Sequence, residues 1–529
     1  MNDVTAIFEA SLAWENHELS SCYNWISQGL KFNYKNYELY LLLGKYYALF
    51  NPDQAYLCYQ MALFYCEEEA DCIIINEFLK DLILNSNITV RKTAIIILSY
   101  NNSQMTKDCI ESIRINNDKK AYELIIIDNA STDGILNWLQ EQNDILLIKN
   151  DFNKGFPAGC NQGIAVSSSD TDILLLNNDT ILPPNALFWL RMGLYESNEI
   201  GATGSVSNNA VNYQQVEEDY QTFEEWMEYG IRNNVPINNP YETKAWLVGF
   251  AMLVKRPALD KVGYLDERFS PGNYEDNDYS MRLLLNGYKL FLCKNSFIYH
   301  YGSKSFQKKP EAYNNLLKIN EMKLKTKWGI NYIPYSIVHA YLTDYINPCT
   351  PNFSLLEIGC KLGCTLSRIH YMYPEAFVIG TEHREKINKL SQMVSNVTTV
   401  NFEESYGDTD NLRFDYIIID NSLDLFTSPM RVLKRSKYLL NYNGKIILSF
   451  RNEDYLAYRY NPTSEAKGYN LNTIVEMLNE VELKIKDIAY IKGTLNDEDI
   501  SNLMKNELTC DNLLLYKAET FLMELEQIH

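Results

Sequence analysis

The sequence predicts an α/β multidomain chain headed by an all-helical region, and three observations carry that prediction. Residues 1–88 set their apolar and small residues at helical spacing throughout. From Thr93, continuous apolar runs such as "TAIIILSY" alternate with amphipathic helices such as "CIESIRIN". At Ser354 the alternation restarts with "SLLEIG", beyond the stretch "EMKLKTKWGINYIPYS". The expected division is a helical region at 1–88, a first α/β domain at 89–334, a linker at 335–350 and a second α/β domain at 351–529. A chain of 529 residues is too long for one hydrophobic core, in keeping with several domains.

Composition narrows the function. With 48 basic and 68 acidic residues the formal charge is −20, which repels nucleic acid and anionic lipid, so neither is an expected partner. The N-terminal stretch carries Asp3 and Glu9 and no basic segment ahead of a long apolar one, so no secretory signal is expected. Apolar runs such as "WLVGFAMLV" at 246–254 reach only about half the length of a membrane span, and no span is expected. Of eleven cysteines, Cys360 and Cys364 are four apart but no second pair completes a zinc site; reduced thiols in a cytoplasmic protein are expected. The 39 tyrosines suit carbohydrate stacking and plain packing alike.

In the helical region, Leu43, Gly44 and Tyr47 fall on one helix and Ala55, Tyr59 and Ala62 on the next. Small residues seven apart let such a pair pack closely. The pair resembles one tetratricopeptide repeat, one residue short between its helices, with a weaker pair before it. The resemblance implies a surface for a peptide or partner, and a generic helical hairpin is the alternative.

The strands of the first α/β region, "TAIIILSY", "YELIIID", "DILLIKN" and "DILLLNN", are apolar throughout, which predicts a parallel sheet covered on both faces. Working residues of such sheets collect at the C-terminal strand ends, where Asp128 and Asp179 fall. Glu275 and Asp276 are adjacent acids ahead of a helix bearing Arg282. Neighbouring carboxylates raise one another's pKa and give a base near neutrality. A helix N-terminus that simply favours negative charge is the other reading. Asp278 and Arg282, four apart, read as a helix ion pair.

Seven motifs in order make residues 93–306 resemble the inverting family-2 glycosyltransferases of GT-A fold: "TAIIILSYNN", "IIIDNASTDG", "NKGFPAGCNQGI", "LLLNNDTIL", "VGFAMLVKRPALDKVGYLDERF", "YEDNDYSMRLLLNGYKL" and "FIYHYGSKS". The resemblance implies a nucleotide-sugar donor and a divalent metal, Mn²⁺ or Mg²⁺, held by Asp179 and His300. Asn177 stands where the family usually carries the first acid of its metal motif, leaving Asp179 as the carboxylate. Asp128 is implied at the ribose or uracil, and Asn101, Gly155, Asn161, Asn178 and Asp179 along the nucleotide sugar. Asp276 is implied as the base, with Glu275 orienting the acceptor.

The second α/β region repeats the pentapeptide Ile-Ile-Ile-Asp-Asn of 125–129 at 417–421, yet nothing around the two copies matches. Two unrelated sheets each end a buried strand in an acid. This region resembles class I S-adenosylmethionine-dependent methyltransferases, a Rossmann-like fold, through "LEIGCKLG", with Glu357, Gly359 and Gly363, and "VIGTE", ending in Glu382. The resemblance implies that Glu382 takes the cofactor's ribose hydroxyls and that Asp420 lies at the cofactor-facing end of the fourth strand. Lys361 replaces the motif's middle glycine, so S-adenosylmethionine is expected to bind weakly or not at all.

Helices, a family-2 transferase and a methyltransferase-like domain in one chain resemble the bacterial glycosyltransferases that modify flagellin and other surface proteins. The expected reaction is transfer of a sugar, N-acetylglucosamine from UDP-GlcNAc, onto Ser or Thr of a protein acceptor. An enzyme of surface-polysaccharide synthesis and a non-catalytic scaffold are the alternatives.

Overall fold

The computed structural model describes residues 2–302, 310–330, 332–405, 407–456, 458, 468–493 and 517–528. The chain divides into two compact units, 1–332 and 333–529. Residues 303–305, the end of the last glycosyltransferase-like motif, lie outside the described residues. Among the described residues no helix is long and apolar enough to cross a membrane.

The first unit opens with five helices: α1 (Asp3–Glu15), α2 (Leu19–Phe32), α3 (Tyr37–Ala48), α4 (Pro52–Tyr65) and α5 (Glu69–Asn85). Asn2, Asn36 and Asn51 start α1, α3 and α4 by accepting the N–H of Thr5, Leu39 and Gln54 with their side chains. Gly44 receives the ring of Tyr59: a Cβ there would lie 2.3 Å from the Tyr59 ring. The helices do not close a core of their own. Tyr40 meets Phe188 edge-on at 5.8 Å, and Ile26, Leu43 and Ala62 share one apolar cluster with Trp189, Leu190 and Ile200. Asn51 donates its side-chain N–H to Tyr195 O at 3.0 Å, Gln54 donates to Met192 O at 2.9 Å, and Thr89 N–H donates to Asp53 at 2.7 Å.

An eight-stranded sheet follows, built from β1 (Lys92–Ser99), β2 (Tyr122–Asp128), β3 (Ile145–Lys149), β4 (Thr171–Asn177), β6 (Ile200–Val206), β7 (Tyr241–Thr243), β8 (Ala251–Val254) and β9 (Lys289–Phe297). β5 (Thr180–Ile181) and β10 (Tyr299–His300) form a separate antiparallel pair. The order in the large sheet is β3-β2-β1-β4-β8-β6-β9-β7. The expectation of a parallel sheet holds for β3-β2-β1-β4, and β6 and β9 also pair in parallel, but β7 and β8 run the other way. β8 runs antiparallel between β4 and β6, and β7 is antiparallel to β9. The error has a simple origin. A continuous apolar run reports burial on both faces but carries no strand direction, and all of β8 is buried.

In the second unit β11 (Ser354–Ile358), β12 (Phe377–Thr381), β13 (Val397–Thr398), β14 (Phe414–Asp420), β15 (Leu440–Arg451), β16 (Leu483–Lys492) and β17 (Ala518–Gln527) form one sheet. Its order is β13-β12-β11-β14-β15-β17-β16, parallel as far as β15, with β17 antiparallel to both neighbours. Much of the stretch expected as a linker, 335–350, is folded into this unit. The helix Ala340–Asp344 buries Leu342, which joins Ile346, Leu355 and Ile418 in one cluster.

Candidate active site

The candidate residues of the first unit lie at or just beyond the ends of β1, β2 and β4, sit on β10, or cap or belong to the helices Phe156–Val166 and Glu275–Leu285. β1 and β2 run parallel with Ser99 opposite Asp128, so the loops that follow them lie side by side. Asn101, in the left-handed region at φ 58°, ties them together: its Oδ1 accepts Thr132 N–H at 2.9 Å and its own N–H donates to Ser131 Oγ at 2.9 Å. Asp128 is fully buried at the end of β2. Ser131 N–H donates to its Oδ2 at 3.2 Å, while Oδ1 is buried with no partner. A buried carboxylate oxygen left open costs stability unless a ligand completes it, which fits a nucleoside hydroxyl or N–H.

Gly155 and Asn161 both hold loops in place. Gly155 sits at φ 85°, and a Cβ there would come within 2.8 Å of Pro271 Cα. Its role is to let the 270–272 loop close in, where Phe156 N–H donates to Pro271 O at 2.8 Å. Asn161 is not left free for a nucleotide. Its amide donates to Leu265 O and Glu267 and accepts Leu265 N–H, each at 2.9 Å. A motif match cannot separate a ligand-binding amide from one that fastens a loop.

Asp179 and His300 meet across the β5–β10 pair, where Thr180 is opposite His300. His300 Nε2 lies 3.3 Å from Asp179 Oδ1 without hydrogen-bond alignment, and it has no other partner. Nδ1 lies 2.9 Å from the Asn209 carbonyl, an acceptor only, so Nδ1 carries hydrogen and Nε2 is the nitrogen turned toward the carboxylate. Phe250 stacks on the imidazole at 5.1 Å. Burial works to lower the His300 pKa, but the Asp179 carboxylate and the Asn209 carbonyl outweigh it and hold it above the ordinary value. In the absence of a metal a proton on Nε2 faces Asp179; with that proton displaced, an imidazole nitrogen and a carboxylate oxygen are a donor set that suits Mn²⁺ or Mg²⁺. Among the described residues no group of three or more His, Cys, Asp or Glu side chains is placed to hold a metal, so an ion here would have Asp179 and His300 as its only side-chain ligands of these types. Asn178 points its amide elsewhere, donating to Thr106 Oγ1 at 2.9 Å. Asn208 grips His300 through its backbone, accepting its N–H at 2.8 Å and donating to its carbonyl at 3.1 Å. Nothing in the spacing of Asn208 or Asn209 announces these roles.

The helix Glu275–Leu285 carries both candidate acids at its N-terminus. The chain enters it through Asn273 and Tyr274, both in the left-handed region at φ 74° and 73°. Asn320, fully buried on the helix Pro310–Trp328, fixes that approach by donating to the carbonyls of Phe269, Gly272 and Asn273. Strained backbone so tightly held is a feature of working sites. Gly249 N–H donates to Asp276 Oδ2 at 3.0 Å, and Asn277 N–H to Oδ1 at 2.8 Å. Burial nonetheless raises the Asp276 pKa. Glu275 is buried with Oε2 unpartnered, and burial, then the Asp276 charge, push its pKa well above the ordinary carboxylate range. Asp278 belongs to a different task. It is fully buried and accepts from Arg282 and Trp328, each at 2.9 Å, with Lys327 as a further ion partner.

In the second unit, Glu357, Glu382 and Asp420 are buried at the ends of the adjacent strands β11, β12 and β14. Gly359 and Gly363 take φ 68° and 73°, and a Cβ on Gly359 would meet Ser422 Cβ at 2.9 Å. Lys361 adopts φ 55°, the backbone of the glycine it replaces, and turns inward. Its Nζ donates to Asp420 O at 3.0 Å and lies 3.5 Å from Oδ2. Asp420 Oδ1 accepts from Ser449 at 2.6 Å and Tyr341 at 3.1 Å, and His339 lies 3.7 Å from Oδ2. Burial works against its ionisation, but Lys361 and His339 hold the Asp420 pKa below the ordinary value. Burial lifts the Glu357 carboxyl to about 8, with the Asp420 charge adding to it and Lys361 opposing. Arg384 forks onto Glu382: Nε donates to Oε1 at 2.8 Å, Nη2 to Oε2, and its backbone N–H to Oε1 at 2.9 Å.

Residues 94–263 match the model of the family described as Glycosyl transferase family 2. No curated protein matches the chain. Among solved structures it is similar to GalNAc-T7, solved with UDP, GalNAc and Mn²⁺, at 12% identity and a TM-score of 0.33, over 40% of this chain and 44% of that one. It is also similar to a mannosyltransferase from Pyrobaculum calidifontis, solved with GDP-Man and Mn²⁺, at 14% identity and a TM-score of 0.31, over 47% and 69% of the two chains. A SAM-dependent methyltransferase from Archaeoglobus fulgidus is similar at 17% identity and a TM-score of 0.29, over 39% of this chain and 99% of that one. The chain thus spans less than half the length of the first of these. Residues 94–263 are a family-2 glycosyltransferase domain of GT-A fold, preceded by an all-helical region and followed by a Rossmann-like mixed sheet.

Proposed function

We propose that the first unit is a metal-dependent inverting glycosyltransferase that moves N-acetylglucosamine from UDP-GlcNAc onto Ser or Thr hydroxyls of a protein such as flagellin, in the cytoplasm. The observation that carries this reading is the acid pair on the helix Glu275–Leu285, one acid anchored by Gly249 N–H and the other buried with an open oxygen. Asp276 accepts the proton of the acceptor hydroxyl as that oxygen attacks the anomeric carbon. The new carbon–oxygen bond forms while the bond to the diphosphate breaks on the opposite face, so the configuration inverts. Glu275 orients the acceptor, and the open oxygen of Asp128 receives the ribose or uracil. Asp179 and His300 hold Mn²⁺ or Mg²⁺, whose charge, when bound, favours the leaving diphosphate.

Incubating the full chain with a panel of nucleotide sugars and candidate flagellins, then weighing the products, tests the proposal. One added N-acetylhexosamine on protein, with UDP released, is the expected result. Transfer to a saccharide alone would assign the enzyme to surface-polysaccharide synthesis. Absence of turnover with every donor would leave a scaffold protein.

A further inference from the structure

The resemblance of the second unit brings S-adenosylmethionine to it, and the residues present do not fit that cofactor. Glu357, Glu382 and Asp420 are 3%, 1% and 4% exposed, so three acidic side chains are buried at neighbouring strand ends, with burial and Asp420 favouring the protonated form of Glu357. A ligand bearing a sulfonium and an ammonium group would supply the positive charge that buried carboxylates need. Here the chain supplies it. Lys361, 9% exposed, reaches the Asp420 carbonyl at 3.0 Å with its ammonium. The Arg384 fork engages both oxygens of Glu382 and fills Oε1 with two N–H donors, so a ribose diol would have to compete with the guanidinium. Arg384 is itself held: Nη1 donates to Tyr335 OH at 2.7 Å, and the guanidinium lies 4.8 Å from the Tyr335 ring centroid. Tyr341, from the segment ahead of β11, donates to Asp420 at 3.1 Å beside Ser449.

We infer that the second unit has replaced the cofactor with its own cations, Lys361 and Arg384, and binds neither S-adenosylmethionine nor S-adenosylhomocysteine. Bulk and charge act together. Lys361 keeps a left-handed backbone that glycine adopts without strain, so one substitution reopens the loop without redirecting it. Glu382 is freed by removing Arg384. The inference is independent of the glycosyltransferase reading, because every residue in it belongs to 333–529.

Calorimetric titration of the full chain with each ligand is the first arm. No saturable heat up to millimolar ligand is expected, and a low-micromolar Kd for S-adenosylmethionine would overturn the inference. Binding of the thioether but not the sulfonium would overturn it too, because the space would then be open and merely repulsive. In the second arm, Lys361→Gly with Arg384→Ala should gain at least tenfold in affinity for S-adenosylmethionine, and no gain in the folded variant would refute the assignment. A third arm needs no ligand. Lys361→Met and Asp420→Asn should each lower the melting temperature, and the double variant should lose clearly less than their sum. Simple additivity would show that Lys361 is not the counter-ion.

Discussion

The pentapeptide Ile-Ile-Ile-Asp-Asn is built twice in this molecule and left in opposite states. At 125–129 its aspartate, Asp128, keeps Oδ1 free of any partner while its asparagine is fully engaged: Asn129 accepts from Asn150 and Lys154 and donates to Asn153. At 417–421 the aspartate side chain accepts from Ser449 and Tyr341 and lies 3.5 Å from the Lys361 ammonium, and Asn421 Oδ1 is the atom without a partner. Both aspartates end a buried strand in a parallel stretch of sheet. The strand therefore delivers an acid to the edge of a pocket and decides nothing further. Side chains arriving from elsewhere determine whether that acid waits for a ligand or already has a partner.

The sharpest test of the open site is its chemistry. Asp276→Asn keeps the Gly249 contact in shape but removes proton acceptance, so turnover should fall by roughly two orders of magnitude or more, with donor binding intact. Near-native turnover would move the base to Glu275. Asp179→Ala should next abolish the Mn²⁺-dependent part of UDP binding measured by calorimetry, and unchanged metal-dependent affinity would remove Asp179 from the site.

Much of this was legible beforehand, and the limits have physical causes. Apolar runs located the strands from Lys92 to Asn177, and motif order singled out Asp128, Asp179, Glu275, Asp276 and His300, of which Asp179 and His300 lie together in the fold. Strand direction was not legible at β8, because burial on both faces looks the same either way. Nor was the task of Asn161, since an amide that fastens residues 265–267 and one that reads a base are the same residue type. Asn320 clamps three carbonyls from about fifty residues away, a relation no local pattern encodes. Lys361 announced its bulk in the sequence; its turn inward onto Asp420 required the fold.

Matched substitutions at the two pentapeptides should give opposite readouts. Asp420→Asn breaks a buried charge pair and should cost about 3 kcal/mol of stability in denaturant unfolding, with glycosyl transfer unaffected. Asp128→Asn should weaken UDP affinity by roughly tenfold, about 1.4 kcal/mol, and leave the unfolding midpoint nearly unchanged. If both variants lose stability and neither loses affinity, the contrast between the two copies disappears.

The smallest effect concerns acidity in the closed pocket. The folded Glu357 carboxyl is lifted to about 8, so folding favours its protonated form. The stability that protonation contributes is complete below the unfolded value and fades as pH rises through about 4.5 to 8. Glu357→Gln should melt with the native chain near pH 5 and a few degrees above it near pH 8, followed by scanning calorimetry. A difference that grows toward low pH would contradict this sign.

The apolar cluster that joins Ile26, Leu43 and Ala62 to Trp189 and Ile200 constrains how this gene can be rearranged. The family match begins at residue 94, yet a recombination joint near that point would separate Asn51 from Tyr195 and Gln54 from Met192. A transplanted catalytic segment would carry the bare face of Phe188 into solvent, and orphaned helices would carry that of Tyr40. Modularity in this chain is therefore inherited in blocks larger than the recognisable motif, and changes in the helices and the catalytic sheet are expected to be coupled across lineages.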